Sequence, residues 1–128
     1  MAFAVFALMF AGTSTAWAGS PHFVKVSYTV TDNTLTVQGK EAGLGNETQV
    51  HIVVSATAEC INPGGHHPKA ANKASFTAEG DFPVQNGRAD FSLTLTATFQ
   101  PDCSPPMTVK FTSITVEDVD HNVFKRLL

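Results

Sequence analysis

The residues of this chain whose chemistry can be read from type and spacing are five histidines, two cysteines and a few paired acids. His66 and His67 are adjacent in a stretch rich in turn formers, and neutral imidazoles are ligands for copper or zinc. Neighbouring residues of an extended chain point to opposite sides, so this pair needs one more histidine to close on an ion. His51 stands on the outward phase of an alternating segment, and His22 lies near the expected mature N-terminus. An amino-terminal copper site wants its histidine third, with free amides before it. After the cleavage described below His22 is fourth, and Pro21 carries no amide hydrogen. A copper or zinc site built on His66 and His67 is therefore an alternative reading, against loop histidines that face solvent. Glu41 and Glu47 flank Gly43 and Gly45 in what reads as an exposed turn. Paired carboxylates can cleave a glycoside, but solvated turn charges are the commoner outcome. There is no G-x-S-x-G, no H-E-x-x-H and no phosphate-binding glycine loop. We therefore expect no enzyme and no cofactor, with a small hydrolase as the least favoured alternative. Asn46-Glu47-Thr48 is a glycosylation sequon, relevant only in a eukaryotic cell.

Cys60 and Cys103 enclose 42 residues, a spacing unlike a C-x-x-C redox pair and, with no acidic cluster nearby, too poor in ligands for a closed zinc site. Their chemistry depends on compartment, and residues 1–18 point to export. That segment has no charged side chain, is mostly Ala, Phe, Val, Leu and Met as far as Ala11, and ends in the A-x-A site Ala16-Trp17-Ala18. It is short for a membrane span and has the h-region and cleavage pattern of a secretory signal, although no Lys or Arg precedes the apolar run. Its removal leaves 110 residues with every charge and both cysteines. In an oxidising compartment the two cysteines are expected to bridge, with a stabilisation of ~4 kcal/mol from chain entropy. That is a large share of the net stability of a domain this small.

The net charge of −3, with eight basic residues spread along the chain, excludes a nucleic-acid footprint. No second apolar stretch approaches membrane-spanning length, so no transmembrane segment is expected in the mature chain. The expected location is secreted and extracellular.

The elements that must position these residues repeat with a period of two. From Phe91 to Phe99 every odd residue is apolar and the even ones are Ser or Thr, the pattern of a strand with one face buried. From Val50 to Cys60 the even positions are apolar, which aims the Cys60 sulfur at the core. Val24, Val26, Tyr28 and Val30 form a third set, with Tyr28 in the core phase, and Leu35 with Val37 a fourth. Asp32-Asn33 and Asn86-Gly87 read as hairpin turns. Met107, Val109 and Phe111 alternate before the phase slips to Ile114 and Val116, which predicts a β-bulge or a strand crossing near Thr112-Ser113. Asp120-His121-Asn122 reads as a turn into a last short strand from Val123, and residues 123–128 fit an edge strand or a tail. About seven short strands and no helical period predict an all-β fold: residues 19–128 as one antiparallel β-sandwich of immunoglobulin-like size with one disulfide. A small barrel is the alternative.

The longest irregular stretch runs from Cys60 to Lys73. Asn-Pro, Gly-Gly and His-Pro within it cannot join a ladder, and the expected disulfide anchors one end. Its candidate binding residues are Asn62, Gly64, Gly65, His66, His67, Lys69, Asn72 and Lys73. A polar loop on a rigid scaffold is a common seat of binding, as well as a plain connection between sheets.

The order of Lys40-Glu41-Ala42-Gly43-Leu44-Gly45, a strand ending in Cys60, Asn62-Pro63-Gly64-Gly65 with Pro68 and Ala71-Asn72-Lys73, then Asn86-Gly87-Arg88, Cys103 with Pro105-Pro106, and residues 113–118 resembles a group of small secreted proteins found largely in actinobacteria. The resemblance covers most of the mature chain and implies export, a β-fold and the Cys60–Cys103 pair, with no catalytic residue. This chain departs from that pattern in carrying His66-His67 and in running past Asp118 into a basic, apolar tail. Together these readings lead us to expect a non-catalytic binding module that offers its disulfide-anchored loop to an extracellular protein or envelope component.

Overall fold

The computed structural model of the chain describes residues 20–64 and 72–128. The expected signal segment 1–18 lies outside the described residues, as do Gly65, His66, His67 and Lys69 of the expected binding loop. The period-two segments form the strands β1 (His22–Thr31), β2 (Thr34–Ala42), β3 (Gln49–Ile61), β4 (Lys73–Pro83), β5 (Ala89–Thr96), β6 (Thr108–Asp118) and β7 (Val123–Arg126). They make two antiparallel sheets in the orders β1-β2-β5 and β4-β3-β6-β7. Among the described residues no helix is long and apolar enough to cross a membrane.

The core lies between the sheets and follows the alternation. Leu35 and Val37 of β2 and Phe91 and Leu95 of β5 face Ile52, Val54, Ala56 and Cys60 of β3 and Phe111, Ile114 and Val116 of β6, all buried. Burying one such branched side chain contributes about 1.5–3 kcal/mol, and this layer joins the two sheets. Phe82 of β4 meets Phe91 of β5 across the gap with ring centroids 6.1 Å apart.

Both expected turns form. Asp32 takes φ 55° between β1 and β2, where Thr31 pairs with Thr34. Asn86 (φ 57°) and Gly87 (φ 77°) make a two-residue turn closed by reciprocal bonds: Gln85 N–H donates to Arg88 O at 2.8 Å and Arg88 N–H to Gln85 O at 3.1 Å. Left-handed backbone at both central positions is what Asn-Gly supplies. The turn joins β4 to β5, which belong to different sheets, so this hairpin forms a corner of the sandwich.

Two bulges correct the phase. In β6 the pairing steps from Thr57↔Ser113 to Ala58↔Phe111, which leaves Thr112 as the extra residue; the slip read from the sequence is a bulge and not a crossing. In β1 the pairing steps from Val24↔Lys40 to Ser27↔Gln38, with Lys25 at φ 54°. Gly39 makes that bulge possible, because a Cβ there would stand 2.8 Å from the Val26 Cα. The four residues Val24, Val26, Tyr28 and Val30 are therefore not one uninterrupted set. Tyr28 and Val30 share the inner side with their partners Val37 and Leu35, yet are 37% and 43% exposed. They lie on an edge strand, and the opposing sheet ends at the four-residue β7.

Of the two readings for residues 123–128, the edge strand holds. Val123–Arg126 pairs with β6, and beyond it Leu127 N–H donates to Ile114 O at 2.8 Å while Ile114 N–H donates to Leu128 O at 2.9 Å.

Candidate functional site

The strands bring chemistry-bearing residues together at both ends of the sandwich. At one end Cys60, the penultimate residue of β3, stands on the inner phase, 4% exposed, as the alternation predicts. It is bonded to Cys103 with Cα atoms 5.7 Å apart, in the segment that follows β5. The Met107 sulfur lies 3.7 Å from the Cys60 sulfur. The disulfide thus ties residues 97–107, which join β5 to β6, to the strand end from which residues 62–64 depart.

The neck of the 62–72 loop is held on its other side too. Glu59 and Lys73 are register partners on β3 and β4, and Lys73 Nζ stands 3.5 Å from the Glu59 carboxylate. Lys73 therefore serves the root of the loop. Asn62 and Gly64 are exposed and Asn72 is half-buried. Beside the bridge a shallow cleft is lined by Asn33, Thr98, Phe99, Asp102, Cys103 and Ser104. Asn33 braces its wall: its Nδ2 donates to Ala97 O at 3.0 Å, and Ala97 N–H donates to Asn33 O at 2.8 Å.

The opposite end holds a cluster that the turn reading of Glu41 missed. Glu41 is the penultimate residue of β2, on the inward phase of Leu35 and Val37, and is fully buried; it is not an exposed turn carboxylate. Asp118 closes β6 on the inward phase of Ile114 and Val116 and is also fully buried. His121, in the turn between β6 and β7, is fixed onto Asp118: its Nδ1–H donates to Oδ2 at 2.7 Å and its backbone N–H to Oδ1 at 3.2 Å. One ligand atom each of Glu41, Asp118 and His121 lie within 4.8 Å of one another. Exposed Glu47 approaches from outside, with Oε1 3.9 Å from His121 Nε2. Neither oxygen of Glu41 has a hydrogen-bond partner. Burial, reinforced by the neighbouring Asp118 carboxyl, pushes the Glu41 pKa up to about 8. The signal for this site was present in the sequence as two acids placed on apolar phases.

The other two described histidines are separate. His51 is on the outward face of β3, as expected, and its Nδ1 and Nε2 stand 2.8 Å from Asp81 Oδ1 and 2.7 Å from Glu79 Oε1. Both nitrogens can donate only as imidazolium, and the two carboxylates raise the His51 pKa accordingly. His22 Nδ1–H donates to Ser20 O at 2.8 Å. Neither lies in the Glu41 cluster.

No protein-family model, no curated protein and no solved structure matches the chain.

Proposed function

We propose that this chain is an exported, non-catalytic binding module that presents residues 62–72 to an extracellular protein or envelope component. The observation that carries the reading is the double clamp at the root of that segment. The Cys60–Cys103 bond holds one side and the Glu59–Lys73 pair the other, at the end of a continuous β3–β4 ladder. A rigid root lowers the ordering cost a loop must meet on binding. A shallow cleft at Cys103, along Asn33, Phe99 and Asp102, adds polar surface at this end of the sandwich.

The test is to replace residues 62–72 with a short Gly/Ser linker and compare pull-downs from envelope extracts. Loss of the recovered partner, with an unchanged circular dichroism spectrum, supports the assignment. Equal recovery by the linker variant ends it.

A further inference from the structure

The end of the sandwich opposite the disulfide holds a buried group with unmet bonding capacity. Val53 pairs with Glu117 and Cys60 with Val109, so Asp118 lies roughly 25–30 Å along the ladder from the disulfide. There Glu41 is fully buried and both its oxygens lack a partner. An unsatisfied buried polar group is unfavourable and rare in folded proteins. A proton shared with Asp118 satisfies one Glu41 oxygen, whereas a cation engages both carboxyls and the imidazole together.

We propose that Glu41, Asp118 and His121 form a binding site for a divalent cation of the zinc class. Two carboxylates and one imidazole are a mixed oxygen and nitrogen set, which suits Zn²⁺. Ca²⁺ takes six to eight oxygens and Mg²⁺ a near-octahedral oxygen shell, neither of which three such groups supply. Tetrahedral zinc sets its donors ~3.4 Å apart, from bonds of ~2.1 Å. The three donors already lie within 4.8 Å of one another, so closing the set asks for a contraction of about 1.4 Å at most. The 2.7 Å contact between His121 Nδ1 and Asp118 Oδ2 sets two donors side by side, and the ion takes the place of the proton between them. Half-buried His121 and exposed Glu47 give the ion its way in from the β6–β7 turn, and water or Glu47 completes the shell.

The ion joins both sheets and that turn, so the sandwich is cross-linked at each end: by sulfur at one and by metal at the other. This site is independent of the 62–72 loop and uses none of its histidines.

Isothermal titration of the purified, chelator-treated protein with ZnCl₂ at pH 7.5 tests the site, with CaCl₂ and MgCl₂ as comparisons. The expected result is one zinc per chain and a higher melting temperature with zinc. Affinity should fall at least tenfold in Glu41→Gln and in His121→Ala, and persist in the double variant His66→Ala/His67→Ala. His121 is on the half-buried turn, so its variant decides the matter if Glu41→Gln does not fold. Absence of zinc heat from the unaltered protein overturns the assignment. So does a site that survives His121→Ala or disappears with the loop histidines.

Discussion

Glu41 and Asp118 belong to different sheets, β2 and β6, and each ends a run of inward-facing apolar residues on its strand. Their carboxyl groups meet inside the sandwich, both fully buried, with His121 hydrogen-bonded to Asp118. Like charges this close in a low-dielectric setting cannot both be held without a counter-charge, whether that is a proton or a metal ion.

Without metal, this pair makes stability depend on pH. The Glu41 pKa rises from 4.5 to about 8 on folding. Between those values the folded chain keeps a proton that the unfolded chain has released. Stability is therefore greatest below the unfolded pKa and is lost as pH rises through the folded one. Urea titrations in chelator at pH 5 and pH 8 should differ by on the order of a few kcal/mol. Glu41→Gln should flatten the profile and be the more stable protein at pH 8. An equal pH slope in Glu41→Gln would assign the effect elsewhere.

The disulfide predicts a second measurement. Cys60–Cys103 spans 43 positions, and in the chain-entropy model its loss costs ~4 kcal/mol. Reduction, or the paired change Cys60→Ser/Cys103→Ser, should lower the thermal midpoint by roughly 15 °C or more. A shift of one or two degrees would show that the bond adds little to the fold.

The bulge at Thr112 separates two deletions that look alike in the sequence. Removing Thr112 leaves Phe111, Ile114 and Val116 in strict alternation on the inner face, and should be tolerated within about 2 kcal/mol. Removing Thr115 turns Val116 outward and Glu117 inward, and should destabilise by about 4 kcal/mol or more. Chemical denaturation of the two variants compares them directly; equal stabilities would refute the register.

Where one face is buried over a long run, as from Val50 to Cys60 and Phe91 to Phe99, the sequence alternation and the observed faces agree. The same signal located the slip at Thr112. The bulge in β1 was hidden because Val24 and Val26 keep the apparent period while Lys25 and Val26 together oppose one glycine. Glu41 and Asp118 were visible as acids on apolar phases, following Leu35 and Val37 on one strand and Ile114 and Val116 on the other. What alternation cannot supply is which strands face each other across the core, so the meeting of the two acids needed the sheet order. The exposure of Tyr28 has a similar origin, since it depends on where the opposite sheet stops.

The Thr112 bulge also falls just beyond the reach of β7 and the residues after it, whose bonds to β6 among the described residues run from Ile114 to Asp118. A straight, open edge there would be a template for another chain. The kink, with exposed Lys110 beside it, spoils that template. A Thr112 deletion that keeps the fold would therefore be expected to self-associate more readily, so this irregularity guards solubility more than it guards stability.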